Sequence, residues 1–495
     1  MPVGVFRTWV KYIEKGEFPN TSRHFGVMRC NHCDAAPCVE ICPTGALFRR
    51  DNGIVDFDNS RCIGCKSCMQ ACPYDALYID PDTHTAAKCN FCAHRIELEL
   101  EPACVVVCPT QAIIAGDLDD PRSRIAQIVA TQKVAARKPY KGTQPKLFYT
   151  GIEGDFLQPA MMEAQPSYLF AEHNPTANPS QLDSSEEAHR VPGAARVVYD
   201  VAHPQPWGEI PALYLWTKSI AAGLLMVAAV LMFSKDLAAA NAVVPAVLAP
   251  IAAIAFLGIT TILLIADLDR PGRFYFILTK PNPRSWLVWG TWILIVYGIL
   301  ALGWIGLALF TPGVPRALTA LAAVAGGAAA GYSAFLFAQG KGRDLWQSPL
   351  FLWHLIVQAA VAGAASMVLI AATAGIRRLG LIPDGGREII RLLDPILAGA
   401  IAVSVLMILG EVFLPPFSAD VERATALITR GRLRARFWYG VILIGGLIPL
   451  ALLCFEFAND ASSPALDALA AVLSLAGLFA FEEIWITAGQ APPLS

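Results

Sequence analysis

From about residue 212 onward, apolar residues run in eight long blocks separated by short polar breaks. The blocks cover approximately 212–234, 243–266, 285–310, 316–338, 349–374, 392–415, 436–457 and 464–487. A helix needs roughly 20 apolar residues to cross a bilayer, and each block is that long with few charges, so the pattern predicts eight transmembrane helices. Small-residue runs such as AAVAGGAAAG and AAVAGAASM suit close approach between helices. Upstream the pattern changes. Before residue 120, short runs such as GIVDFD and ALYID predict small strands between loops. DDPRSRIAQIVATQKV predicts one short helix, with Asp120 as N-cap and Pro121 at the first position. From Lys138 to His203 no period is sustained, and Pro, Ser, Ala and Gly predict an extended tether. The expected division is 1–120, 121–211 as linker, and 212–495.

Composition agrees with this division. The chain is 55% hydrophobic and 16% charged, whereas soluble chains are about a quarter charged. A net charge of −2 gives no reason to expect nucleic acid as a partner. Twelve of the thirteen cysteines lie between Cys30 and Cys108. The opening stretch MPVGVFRTWVKYIEKGEF has no apolar signal core and no twin-arginine pair. Dense cysteine beside such a stretch points to metal rather than disulfides.

The cysteines fall into three groups. The first is Cys30, Cys33, Cys38 and Cys42, followed by Pro43. The second is Cys62, Cys65, Cys68 and Cys72, followed by Pro73. The second group has the C-x2-C-x2-C-x3-C-P spacing of bacterial iron–sulfur loops, in which three thiolates wrap one cubane and the fourth serves its neighbour. Cys30, Cys33 and Cys38 with Cys72 are therefore expected to hold one [4Fe–4S] cluster, and Cys62, Cys65 and Cys68 with Cys42 the next. The fourth cysteine is expected to begin a helix, with the proline in its first turn. A zinc ribbon would use paired C-x2-C elements without the trailing C-P. The third group, Cys89, Cys92, Cys104 and Cys108, is nearly a ligand set, but its spacing is unusual.

These groups, with CIGCKSCMQACPYDA and EPACVVVCPTQAI, resemble the iron–sulfur subunit of molybdopterin oxidoreductases of the polysulfide and dimethyl sulfoxide reductase B-subunit type. The resemblance implies an α+β ferredoxin-like 4Fe-4S repeat and a fourth cysteine group, which in that family sits upstream of a segment like PVGVFRTWVKY. Cys108 would then join three cysteines of that group, and Cys89, Cys92 and Cys104 would borrow one back. The expectation is a start upstream of Met1 and four clusters. The rival is a shortened chain in which the third group shares one cluster or holds none.

The second half is expected to be an all-α polytopic membrane domain of about eight helices. An even number of spans puts both of its ends, and the cysteine half, on one side. Loops on that side carry Arg270, Arg273, Lys280, Arg284, Lys341, Arg343, Arg423, Arg430, Arg432, Arg434 and Arg436. The opposite loops carry Lys235, Arg316, Arg377, Arg378, Arg387 and Arg391. The excess of eleven over six makes the cysteine side cytoplasmic by the positive-inside rule, in a bacterial-type inner membrane. Lys218, Asp267, His354, Glu411, Glu482 and Glu483 all fall at the cysteine-side ends of spans. Ionisable groups in a bilayer are costly and mark function. Each also has a plainer reading, as a snorkelling side chain, a helix-end pair such as Asp267–Arg270, or a satisfied core histidine. Glu456 lies at the far side, and Cys454 is expected to serve packing.

YLWTKSIAAG (214–223), DLDRPGRF (267–274) and SWLVWG (285–290) resemble the NrfD/polysulfide-reductase membrane-anchor family, with Asp269 where that family commonly has glycine. The resemblance implies a quinone-reactive protein. Lys218, Asp267, Arg270, His354 and Glu411 are the candidate quinone-binding residues. The chain is thus expected to relay electrons between a catalytic subunit of molybdopterin type and the quinone pool. No catalytic group for a soluble substrate is visible, so that chemistry is expected on the partner. The alternatives are a redox-coupled proton-translocating module that uses Glu456, and a non-redox anchor with structural clusters.

Overall fold

The computed structural model describes residues 4–495 apart from 153, 158, 160, 161, 165–194, 202, 204, 235–241, 312, 375–386 and 460–462. Most of the Pro- and Ser-rich tether, and Lys235, Arg377 and Arg378, lie outside the described residues.

The cysteine half opens with a long antiparallel pair, β1 (Thr8–Glu17) and β2 (Asn20–Arg29), in register from Thr8↔Arg29 to Glu17↔Asn20. Two small hairpins follow. The strands β3 (Leu47–Arg49) and β4 (Val55–Phe57) form one, and β5 (Leu77–Asp80) and β6 (Thr85–Lys88) the other. GIVDFD and ALYID supply β4 and β5 as expected. A one-turn helix lies inside each of the first two cysteine groups: α1 (Pro37–Ile41) and α2 (Ser67–Ala71). Here the structure corrects the sequence reading. Cys42 and Cys72 end these helices in extended backbone rather than beginning new ones, so Pro43 and Pro73 act as stops. One turn separates the third thiol of each group from the fourth, which carries the fourth away from its own loop.

The helix after residue 120 spans Arg124–Thr131 and is capped by Ser123, whose Oγ accepts from Ala126 N at 3.1 Å. Asp120 is not the cap. Its carboxylate accepts from Arg122 N at 3.0 Å in a turn before the helix. The region read as tether is not all tether either. Arg196–Tyr199 pairs antiparallel with β1 and parallel with Glu163–Ala164, giving a four-stranded sheet. Val197 from this strand closes a small core with Trp9, Ile13 and Met28.

Among the described residues, eight helices are long and apolar enough to cross a membrane: Glu209–Phe233, Val244–Ala266, Trp286–Phe310, Arg316–Ala338, Phe351–Ala374, Arg387–Phe413, Arg436–Asn459 and Pro464–Gln490. These match the eight apolar blocks closely. The first span is central, with 78% of its apolar window buried, whereas the third has 17% buried and turns most of its surface outward. Cys454 is exposed, so it does not pack inside the bundle as expected. The first and fifth spans cross at Gly223 and Gly363, where a Cβ on either glycine would overlap the other helix's backbone. Gly326 of the fourth span likewise lies against Ala222 O, where an added Cβ would sit at 2.8 Å. Without a hydrophobic drive between helices in lipid, such close backbone contact is what holds them.

Gly223→Val should therefore lower the thermal midpoint of the detergent-purified protein, by the equivalent of about 1–3 kcal/mol or more for an overpacked contact. Gly258→Val, with open space at its Cβ, is the control and should melt like the parent protein.

Candidate functional site

The short helices α1 and α2 cross the first two cysteine groups. One cavity is lined by Cys30, Cys33, Cys38 and Cys72, and a second by Cys42, Cys62, Cys65 and Cys68. Each cavity thus takes three thiols from one group and the fourth from the other. Among the described residues no His, Cys, Asp and Glu group closes tightly enough for a single metal ion. Three thiols of one loop with a fourth from its neighbour are the donor set of a polynuclear iron–sulfur cluster. Burial pushes the Cys33 and Cys65 thiols up to about 12 and Cys72 up to about 11. Thiols so buried ionise only when a coordinated cation supplies the compensating charge, and an iron–sulfur cluster does so. Backbone N–H groups already point at the sulfurs: Gly64 and Ala86 donate to Cys62 Sγ at 3.4 and 3.3 Å, and His32 to Cys30 Sγ at 3.5 Å.

The third group lies nearer the surface. The His32 side chain lies beside Cys89, and Cys104 Sγ accepts from Arg29 Nη1 at 3.0 Å. The backbone N–H of Ile113, helped by Thr110 and Ala112, holds the Cys108 thiol below its ordinary value. Leu98 and Val107 beside this group are 70% and 74% exposed.

The membrane half grips the second cavity. Asn282 Nδ2 donates to Cys42 O at 2.8 Å, Ser285 Oγ to Ile41 O at 2.6 Å, and Arg273 Nη1 to Cys62 O at 2.9 Å. Asp269 N and Arg270 N donate to Gly64 O and Ile63 O. Gly64 has φ +72°, and a Cβ there would lie 2.7 Å from Asp269 Cβ. The loop at 340–343 holds α2 from the other side, with Gly342 N donating to Gln70 O at 3.2 Å and Arg343 Nε to Gln70 Oε1 at 2.8 Å. Gln70 also donates to Gln490 Oε1 at 2.6 Å.

These contacts divide the five candidate quinone residues. Arg270 donates to Thr83 O at 2.8 Å through Nε. Asp267 faces Lys66 at 4.0 Å. Both therefore serve the junction, and Arg270 turns to the cysteine half rather than pairing with Asp267. His354 and Glu411, from the fifth and sixth spans, meet inside the bundle, with Nδ1 and Oε2 at 2.7 Å. Ser348 Oγ donates to Glu411 Oε1 at 3.1 Å, and Gln358 Nε2 lies 3.3 Å from His354 Nε2. Lys218 Nζ donates to Ser333 Oγ at 2.7 Å and Ala330 O at 3.0 Å, over the Tyr332 ring. Glu482 is within electrostatic reach of both Lys218 and Glu411. Gln358, one turn beyond His354, was legible from its i+4 spacing. Lys66, Gln70 and Gln490 were not, because their roles arise only where the two halves meet.

A run of rings joins junction and pair. Trp207, bonded to Gln490 through N at 3.1 Å, stacks on Trp346 at 5.4 Å. Contacts of 4.8, 5.4, 5.7 and 5.6 Å continue through Phe337, Phe351, Trp485 and Phe481, and Phe481 lies 4.8 Å from the His354 ring.

Cysteine cavities docked on a bundle of eight apolar spans define an iron–sulfur electron-transfer subunit with its own multi-pass membrane domain. The 4Fe-4S dicluster domain family matches residues 22–118, and polysulphide reductase, NrfD, matches residues 198–492. The second match covers more than half of the protein, which belongs to the NrfD polysulphide reductase family. The cysteine half is similar to the B subunit of tetrathionate reductase from Salmonella typhimurium, 48% identical over 170 residues, which cover 34% of this chain and 68% of that protein. It is 45% identical over 151 residues to protein NrfC of Escherichia coli, covering 30% of this chain and 68% of that protein. The B component of polysulfide reductase from Wolinella succinogenes is 41% identical over 151 residues, covering 30% of this chain and 79% of that protein.

If Gly342 supports the cavities through α2, its substitution should act on the cysteine half alone. A Cβ at Gly342 would lie 2.6 Å from Gln70 O and 2.8 Å from Cys72 O. Gly342→Ala should make the cluster's visible absorbance bleach at a lower temperature, with the helical circular-dichroism transition unmoved. Gly327→Ala, in open space, should change neither.

Proposed function

We propose that the chain carries electrons between a catalytic subunit, of molybdopterin type, and a quinone bound at the cysteine-side end of the bundle. The carrying observation is the buried His354–Glu411 pair, linked by packed rings to a helix lying between two cysteine cavities. Cys30, Cys33, Cys38 and Cys72 hold one [4Fe–4S] cluster and Cys42, Cys62, Cys65 and Cys68 the next. Cys89, Cys92, Cys104 and Cys108 serve further iron at the exposed edge, facing the catalytic partner. The relatives' names, tetrathionate and polysulfide reductase among them, support a sulfur-compound reductase as that partner. We place the cysteine half in the cytoplasm on the charge excess of its loops. We also divide the chain near residues 120 and 211, the intervening stretch adding strands to the first part.

Reducing a quinone to a quinol takes two electrons and two protons. The clusters supply electrons one at a time when loaded. A head group within reach of the His354–Glu411 pair and Lys218 finds donors for both carbonyl oxygens and an acid to replace the protons. His354→Ala and Glu411→Gln should each lower quinone turnover by about 10²-fold, the lower end for a lost acid–base partner, with iron per chain unchanged. Normal turnover in both variants would move the quinone elsewhere.

Iron and acid-labile sulfide per chain, measured on protein from its native membrane, count the clusters. With four irons each, about eight would leave only the two cavities loaded, about twelve would add a self-contained third site, and about sixteen would bring in ligands from outside this sequence.

A second reading is favoured by a separate feature. At the opposite end of the bundle, Glu456 and Asp467 face each other, and Asp394 lies within electrostatic reach of both. Three buried carboxyl groups there suit a proton path coupled to electron flow. Loss of proton movement across vesicles in Glu456→Gln, with quinone turnover retained, would support it.

A further inference from the structure

The loops around the second cavity carry most of the described contacts to the membrane half. The cysteine loop of this cavity carries one charged side chain between two ligand cysteines. Lys66 follows Cys65 directly, with φ 60°, and lines the cavity together with Cys42, Cys62, Cys65 and Cys68. The left-handed backbone turns its side chain out of α2 and toward the membrane half. There Nζ donates to Asp267 O at 3.1 Å and meets Asp269 Oδ1 at 3.2 Å and Asp267 Oδ1 at 4.0 Å. The Lys66 side chain is only 17% exposed, so water screens its charge weakly.

We propose that Lys66 is a positioning residue for electron transfer: its ammonium, held between the second cavity and Asp267 and Asp269, sets the reduction potential of the cluster in that cavity. This rests on the reading that Cys42, Cys62, Cys65 and Cys68 hold an iron–sulfur cluster. The physical reason is charge. A reduced cluster carries one more negative charge than an oxidised one, so a nearby cation favours the reduced form and nearby carboxylates oppose it. Two carboxylates on the membrane half thus moderate a cation on the cysteine half. The potential of the membrane-facing cluster depends on docking, and an undocked cysteine half has a different potential from a docked one. The first cavity is served by a different cation, Lys88, which is buried beside Cys30 and Cys38 and donates to Cys89 O at 3.0 Å. The two clusters are therefore tuned separately.

The test is an EPR-monitored redox titration of the full chain purified from membranes, with iron counted in each sample. Lys66→Met should move one cluster signal to lower potential and leave the others in place. Asp269→Asn should move the same signal the opposite way, to higher potential. Lys66→Arg should keep the parent value. Opposite shifts of one signal at constant iron would not come from loosened packing, which moves both variants the same way. An unmoved signal in Lys66→Met, or shifts of the same sign in Lys66→Met and Asp269→Asn, overturns the proposal. Absence of any cluster signal in the parent protein, with no iron bound, overturns instead the iron–sulfur reading on which it rests.

Discussion

A loop that wraps its thiols around a cavity turns its carbonyls outward, where no helix or sheet ladder can satisfy them. Such groups need donors, because an unpaired buried carbonyl costs free energy comparable to a lost hydrogen bond. In this protein the donors come from the membrane half. Asn282, Ser285, Arg273 and the backbone of Asp269, Arg270 and Gly342 take the carbonyls of Ile41, Cys42, Cys62, Ile63, Gly64 and Gln70. This single requirement fixes which cavity faces the bundle and how closely. It also explains why the connection after the second span is rich in Asp and Arg yet lies against protein. Gly64 is part of the same constraint, since only a residue without Cβ admits Asp269 at that distance.

The bilayer imposes the second constraint. An ionisable side chain inside it must find a partner, and in this bundle the partners come from helices distant in sequence. His354 and Glu411 are 57 residues apart, and Lys218 meets Ser333 across 115 residues. Small residues let some of these helices close up, as Gly223 and Gly363 do between the first and fifth spans and Gly326 does against Ala222 between the fourth and first. The polar groups are thus paid for by the packing of residues that carry no chemistry. Glu411, with Ser348 on one oxygen and His354 on the other, is satisfied and oriented at once.

The junction and the buried pair are connected by rings rather than by a polar chain. Trp207, Trp346, Phe337 and Phe351 follow one another between Gln490 and the His354 helix, each ring against the next or sharing a neighbour. Aromatic side chains bring large buried area with few rotatable bonds. They hold the loop at 340–348 and the end of the eighth span rigidly against α2.

What the sequence determined by itself was everything that depends on local period or local chemistry. Hydrophobic block length placed eight spans to within a few residues, because a bilayer of given thickness demands a helix of given length. Cysteine spacing gave the expectation that the fourth thiol of each group serves its neighbour, and each cavity is lined by three thiols of one group and one of the other. Local signals failed at helix ends, where neighbouring residues can take the same role. Ser123 outcompeted Asp120 as a cap because the turn formed by Asp120 came first, and Cys42 ended a helix it was expected to start. Tertiary structure alone decided the rest. That Arg270 holds Thr83 O, that Arg196–Tyr199 pairs with β1 rather than lying in a tether, and that Cys454 faces outward depend on remote contacts. The physical reason is common to all of them. Period tells which face of a segment avoids water, but a partner's identity depends on which remote segment arrives at that face, and this is settled only when backbone groups and charges from both halves are satisfied together.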